Sequence, residues 1–149
     1  MTSASARGHS KEAQFDSLLR AAGWATLGPP QRTRFNHHDH YGLFDNEAHR
    51  VSSPSLFISN TTGHHAADKK REIEVSELFT RKAHASTTML LVATWGHRKR
   101  TGAAWKVERL GNGDGRGGAW RTLGFVRISG EVVGEEGDGE LLTRLLRKR

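Results

Sequence analysis

Apolar positions along the chain fall into a few short, well separated groups. Phe15, Leu18, Leu19 and Ala22 recur at i, i+3, i+4 and i+7, the spacing of one helical face. Ser10 reads as the N-cap of that helix, and Gly23 stands where a left-handed glycine would end it. Leu27–Pro30 reads as a turn and Arg32–Phe35 as a short strand. Tyr41–Asp45 is aromatic and apolar and closes on an acid. A polar stretch, Asn46–Pro54, separates it from Leu56–Phe57–Ile58, and the two apolar segments read as a hairpin. Ala66–Lys82 reads as a second helix, with Ile73, Leu78 and Phe79 on one side and Lys69, Lys70, Arg71, Arg81 and Lys82 on the other. Met89–Ala93 is continuously apolar, which predicts a strand buried on both faces. Gly96–Gly102 reads as a basic turn, Trp105–Leu110 as the strand returning from it, and Trp120–Ile128 as one more strand. Leu141–Arg149 has the spacing of a short basic amphipathic helix.

The resulting order is helix, strands, helix, strand, strand. It predicts an α/β protein with a small central mixed β-sheet flanked by helices. Residues 10–128 would form the domain, behind a disordered lead at 1–9. Residues 129–149, acidic then basic, would be a flexible tail.

Composition narrows the function classes. The 149 residues carry 23 Lys and Arg against 16 Asp and Glu, a formal net charge of +7. An excess of that size favours a polyanionic partner, with nucleic acid first. There is no cysteine, which excludes a disulfide scaffold and a thiolate zinc site and fits a reducing, cytoplasmic setting. No run approaches the roughly 18–20 apolar residues of a membrane span. The polar start, Met1 to Ser10, lacks the apolar core of a secretory signal. His37, His38 and His40 lie close together, but neighbouring side chains on an extended segment point to opposite faces, a poor basis for a zinc site. They read as a solvated loop or as phosphate contacts beside a cleft.

The stretch from Trp24 to Ile73 carries a sharper signal. A helix ending in Gly23–Trp24 is followed by Arg32–Thr33–Arg34–Phe35 and then by Asp39–His40–Tyr41–Gly42–Leu43–Phe44–Asp45. Leu56–Phe57–Ile58 comes next, and then a basic helix, Asp68–Lys69–Lys70–Arg71–Glu72–Ile73. In order and spacing this resembles the PD-(D/E)XK nuclease superfamily, in the branch of Holliday junction resolvases and short phage endonucleases, over about residues 12–110. The resemblance implies a restriction-endonuclease-like fold, homodimer pairing, and metal-dependent endonuclease action on branched or duplex DNA. It makes Asp45 the ligand of Mg²⁺ or Mn²⁺, with Asp39 or Glu12 as an auxiliary acid and Asp16 as a rival to Glu12. It places Ser59 at the Glu/Gln position and Thr61 at the Lys/Thr position of the catalytic motif. Arg32, Arg34, Lys69, Lys70, Arg71, Arg98, Lys99 and Arg100 would contact DNA.

The chemistry accounts for such a pattern. A divalent ion polarises the phosphodiester and acidifies an attacking water, and Mg²⁺ takes hard oxygen ligands in a near-octahedral shell. Here Ser59–Asn60–Thr61 stands where the family has Q-V-K or Q-V-T. A serine hydroxyl is a poor substitute for a carboxylate, and threonine brings no cation. Lys70, Glu47 or Glu72 could fill the gap from nearby elements. Two other readings therefore stand beside the nuclease: a catalytically inactive nucleic-acid-binding protein on the same scaffold, and a basic structural or interaction protein.

Overall fold

A computed structural model of the chain describes residues 4–27, 32–33, 36–37, 44–75, 87–111, 120–133 and 139–148. In these the protein is α/β: a seven-stranded mixed sheet, curled into a half-barrel, with three helices. In chain order the elements are α1 (Ala4–Ala21), β1 (Ala25–Thr26), β2 (Arg32–Thr33), β3 (Asn36–His37), β4 (Asn46–His49), β5 (Ser55–Thr62), α2 (Ala66–Glu74), β6 (Thr88–Arg98), β7 (Gly102–Leu110), β8 (Trp120–Val126), β9 (Val132–Val133) and α3 (Gly139–Leu146). The large sheet runs β1-β4-β5-β6-β7-β8-β9, and β2 and β3 form a separate two-stranded pair. Within the large sheet β5 and β6 are parallel, joined across the segment that contains α2, and all other neighbours are antiparallel.

Alternation along the strands sorts the core into two layers. On one face Leu56, Ile58, Met89, Leu91, Ala93, Trp105 and Val107 pack against Phe15 and Leu19 of α1 and Leu142 and Leu145 of α3. On the other, Phe57, Leu90, Val92 and Leu110 pack with Phe44 and with Ile73 of α2. The apolar run Met89–Ala93 is thus buried on both sides, as its continuous pattern predicts.

The first helix ends as the glycine implies. Gly23 has φ +91°, its N–H donates to Arg20 O at 3.0 Å, and the Trp24 N–H reaches back to Leu19 O at 3.0 Å. This paired closure satisfies carbonyls the helix would otherwise leave open. At its other end α1 begins at Ala4, ahead of the Ser10 cap read from the sequence.

Three further boundaries depart from the sequence reading. The strand paired with β5 is the polar Asn46–His49, not Tyr41–Asp45, of which residues 41–43 lie outside the described residues. It can be polar because Asn46 and Ala48 face inward and the Asn46 amide is satisfied there. Helix α2 ends at Glu74 with Val75 as its C-cap, and residues 76–82 of the helix read from the sequence as Ala66–Lys82 lie outside the described residues. The basic turn is tighter than Gly96–Gly102, since β6 continues to Arg98 and β7 restarts at Gly102.

Residues 129–149, read as a tail, contribute β9 and α3. Gly124 on β8, at φ +150°, gives α3 its close approach, since a Cβ there would stand 3.1 Å from Leu142 Cδ2. The adjacent shift in register between Val107 and Glu108 bends the sheet at the same place.

Candidate functional site

The resemblance directs attention to the corner where β4 begins and β5 ends. Asp45 precedes β4, and its N–H donates to Ile58 O at 2.9 Å. This aligns Asp45 with Ser59, one step beyond the Asn46–Ile58 pair. Oδ2 of Asp45 accepts the Asn60 N–H at 2.6 Å. Asp45, Ser59 and Thr61 are therefore brought to one end of one strand pair.

The next residues on each strand point to the α1 side and form a polar chain. The Asn60 amide donates to Asn46 Oδ1 at 3.1 Å, and the Asn46 amide donates to Asp16 Oδ1 at 3.2 Å. Asp16 holds Arg20 at 2.8 Å through its other oxygen. The Arg20 Nε also reaches Thr26 Oγ1 at 2.7 Å. Asp16, with 6 % of its side chain exposed, is therefore a structural acid joining α1 to β4. Glu12 lies one turn earlier on α1. Asp39 and Arg34 lie outside the described residues, and Arg32 is placed by its backbone alone, opposite His37.

Ser59 and Thr61 point the other way, to the face that α2 covers. Register sets out two rows on that face. Ser59, Val92 and Glu108 form one, and Thr61, Thr94 and Lys106 the next. Ser59 is completely buried and Thr94 nearly so, and neither Oγ of Ser59 nor Oγ1 of Thr94 has a hydrogen-bond partner. Above them Lys70 of α2 reaches Glu108 Oε2 at 2.6 Å, and Trp120 Nε1 donates to Glu74 Oε1 at 2.6 Å. Lys70 Nζ stands 5.8 Å from the Trp120 ring centre.

The basic residues singled out in the sequence thus divide. Lys69 pairs with Glu72 at 3.5 Å and Arg71 with Asp68 at 4.0 Å, both along the helix surface. Lys70 instead turns inward to Glu108. Arg98 lies on β6, with its guanidinium donating to Ala104 O at 3.2 Å and standing 5.2 Å from the Phe125 ring centre. Burial pulls its pKa below the usual arginine range, partly opposed by Glu108. Lys99 and Arg100 are exposed at the turn between β6 and β7.

Glu108 and Lys106 were not singled out in the sequence. Alternation through Trp105–Leu110 was the signal for them. With Trp105 and Val107 inward on one face, Lys106 and Glu108 must share the other.

The corner offers the Asp45 carboxylate, one oxygen of which holds a backbone N–H, together with two hydroxyls. No three His, Cys, Asp or Glu gather among the described residues. No helix among the described residues is long and apolar enough to cross a membrane. Comparison with family models, with curated proteins and with solved structures finds no match.

Proposed function

We propose that this chain is a nucleic-acid-binding domain on a nuclease-like scaffold, gripping the phosphate backbone of DNA from the end of the β6–β7 hairpin. The observation that carries the reading is the cationic group there. Arg98, Lys99 and Arg100 follow one another at the turn, and Lys106 lies on the neighbouring strand opposite Thr94. Neither Lys99 nor Lys106 has an acid within ion-pair distance among the described residues. Cations left without acids on a protein of charge +7 are suited to displacing counterions from a polyanion.

What supports a nuclease-like scaffold is the element order. Helix α1 is followed by the antiparallel pair β4–β5, then by α2, then by β6 parallel to β5. Asp45 stands beside Ser59 in that frame. The donor set favours binding over hydrolysis, because Ser59 and Thr61 replace a carboxylate and a cation. Lys70 does not restore the cation, being committed to Glu108.

A second reading, a Mg²⁺- or Mn²⁺-dependent endonuclease, draws on the Asp45–Ser59 alignment. One experiment separates the two. A labelled four-way junction and a matched linear duplex are incubated with the protein in Mg²⁺, Mn²⁺ or EDTA, with Asp45→Asn alongside. The binding reading expects complexes with both DNAs in EDTA and no new ends under any condition. Metal-dependent cleavage lost in Asp45→Asn would replace it with the second reading. Absence of any complex at low salt would remove both and leave a basic interaction protein.

A further inference from the structure

Arg109 and Arg121 are directly opposed across the antiparallel β7–β8 pair. Side chains in such register have Cβ atoms about 4.5–5.5 Å apart, and like charges placed so destabilise a sheet. Here the two cations face each other with no acid in ion-pair range of either among the described residues. Arg109 sits in a row with Leu91 of β6, on the face that packs against α1 and α3. It is half-buried, and its Nε is shielded from solvent without a hydrogen-bond partner. Arg121 is exposed beside it.

Several other guanidiniums among the described residues are held. Arg20 has Asp16 and Thr26, Arg71 has Asp68, Arg127 has Glu131, and Arg50 has three backbone carbonyls. A half-buried guanidinium with an unpaired N–H and a second cation against it is costly unless an anion completes it. Its state agrees with this: burial first, and the Arg121 charge second, pull the Arg109 pKa below the usual arginine range. Arginine nonetheless stays protonated at neutral pH, so the charge must be met rather than lost. Two planar forks, one fixed by the sheet and one free to swing, suit a tetrahedral oxyanion with several acceptor oxygens.

We propose that Arg109 and Arg121 together bind a phosphoryl group, either free phosphate or a phosphate of a nucleic-acid backbone. The pair lies near the C-terminal end of β7 and the start of β8, on the opposite face from Lys106, so the proposal stands independently of the binding surface at the β6–β7 turn.

The test uses the full chain and inorganic phosphate, with chloride at matched ionic strength as the reference. Thermal unfolding is followed for the parent, Arg121→Gln and Arg121→Glu, substitutions at an exposed site that leave Arg109 and the core in place. Phosphate at about ten times its Kd should raise the parent's Tm by about 3–6 °C, saturably. Arg121→Gln should lose that increment. Arg121→Glu should also lose it, and in chloride should melt above the parent because the carboxylate now completes Arg109. An equal phosphate increment in all three proteins would show a general salt effect and overturn the site, as would no increment in the parent. Fluorescence anisotropy with a short duplex then identifies the source. A shallower salt dependence in Arg121→Gln assigns the phosphoryl group to nucleic acid, and unchanged duplex affinity beside a lost phosphate increment assigns it to free phosphate.

Discussion

The backbone N–H of Asn60 donates to the carboxylate of Asp45 at 2.6 Å, and this bond closes the open end of the β4–β5 pair. The acid that the nuclease resemblance marks as a metal ligand is thus also a structural acceptor. A hydrogen bond to a charged acceptor contributes about 1.5–3 kcal/mol, and a half-exposed corner lies toward the lower end. Asp45→Ala is expected to lower the free energy of unfolding by about 1.5 kcal/mol in a urea titration. Asp45→Asn keeps an acceptor and is expected to lose less than half of that. Equal losses in the two variants would mean that the carboxylate does something other than accept this N–H.

Lys70 and Glu108 make a second prediction. Their 2.6 Å contact joins α2 to β7 under partial cover, with side-chain exposures of 23 % and 8 %. Removing one partner leaves the other charge half-desolvated, so Lys70→Met or Glu108→Gln alone should cost about 2–3 kcal/mol, below the ~3–5 kcal/mol of a fully buried pair. The double variant should cost clearly less than the two single costs added together, since it leaves no orphaned charge. Additive losses in urea titrations of the three variants would mean that the contact is not an energetic unit.

Local pattern reached some of this architecture and missed other parts for identifiable reasons. Met89–Ala93 announced a strand buried on both faces because continuous apolarity has few other uses in so short a run. Gly23 announced the end of α1 because a left-handed residue is needed there. The strand Asn46–His49 was not legible, since its inward Asn46 is satisfied by Asp16, thirty positions away, and by Asn60 across the pair. No window of periodicity contains both partners. The sequence reading of α2 ran past Glu74 because Leu78 and Phe79 add apolar residues there, and both lie outside the described residues. At the candidate site, residue type alone grouped Lys70 with the DNA contacts of the basic helix or with the substitutes for the missing catalytic cation. Only the three-dimensional placement of Glu108 two strands beyond β5 shows that it turns inward.

Helix α3 is held at its C-terminal end by Arg50 and Trp24. The Arg50 guanidinium donates to Arg144 O at 3.2 Å, Arg147 O at 2.9 Å and Ala22 O at 3.1 Å, and stands 4.4 Å from the centre of the Trp24 ring. Trp24 itself donates to Leu145 O at 2.7 Å. Terminal carbonyls of a helix lack partners within it, and a cation there also suits the helix dipole. Arg50→Ala is expected to cost about 1–2 kcal/mol. Its local signature should be faster amide exchange confined to residues 139–148, with Leu142 and Leu145 still anchoring the helix. Protection reduced equally throughout the sheet would show that Arg50 supports the whole fold rather than this junction.

The proposed DNA surface is most sharply tested by its salt dependence. Each phosphate contact made by a cation adds about 0.9 to the slope of log affinity against log salt on duplex DNA. Lys99 at the β6–β7 turn and Lys106 farther along β7 have no acid within ion-pair distance among the described residues, so Lys99→Gln with Lys106→Gln should flatten the slope by about 1.8. Affinity should fall on every sequence alike, because backbone contacts carry no base information. Lys69→Gln is the matched control. Its ammonium already has Glu72 at 3.5 Å on the surface of α2, so its slope should stay within error of the parent. Fluorescence anisotropy between low and moderate salt reads all three proteins. A double variant with an unchanged slope would place the contacts elsewhere. If Lys69→Gln shows the larger change, α2 is the binding element and the β6–β7 hairpin is not.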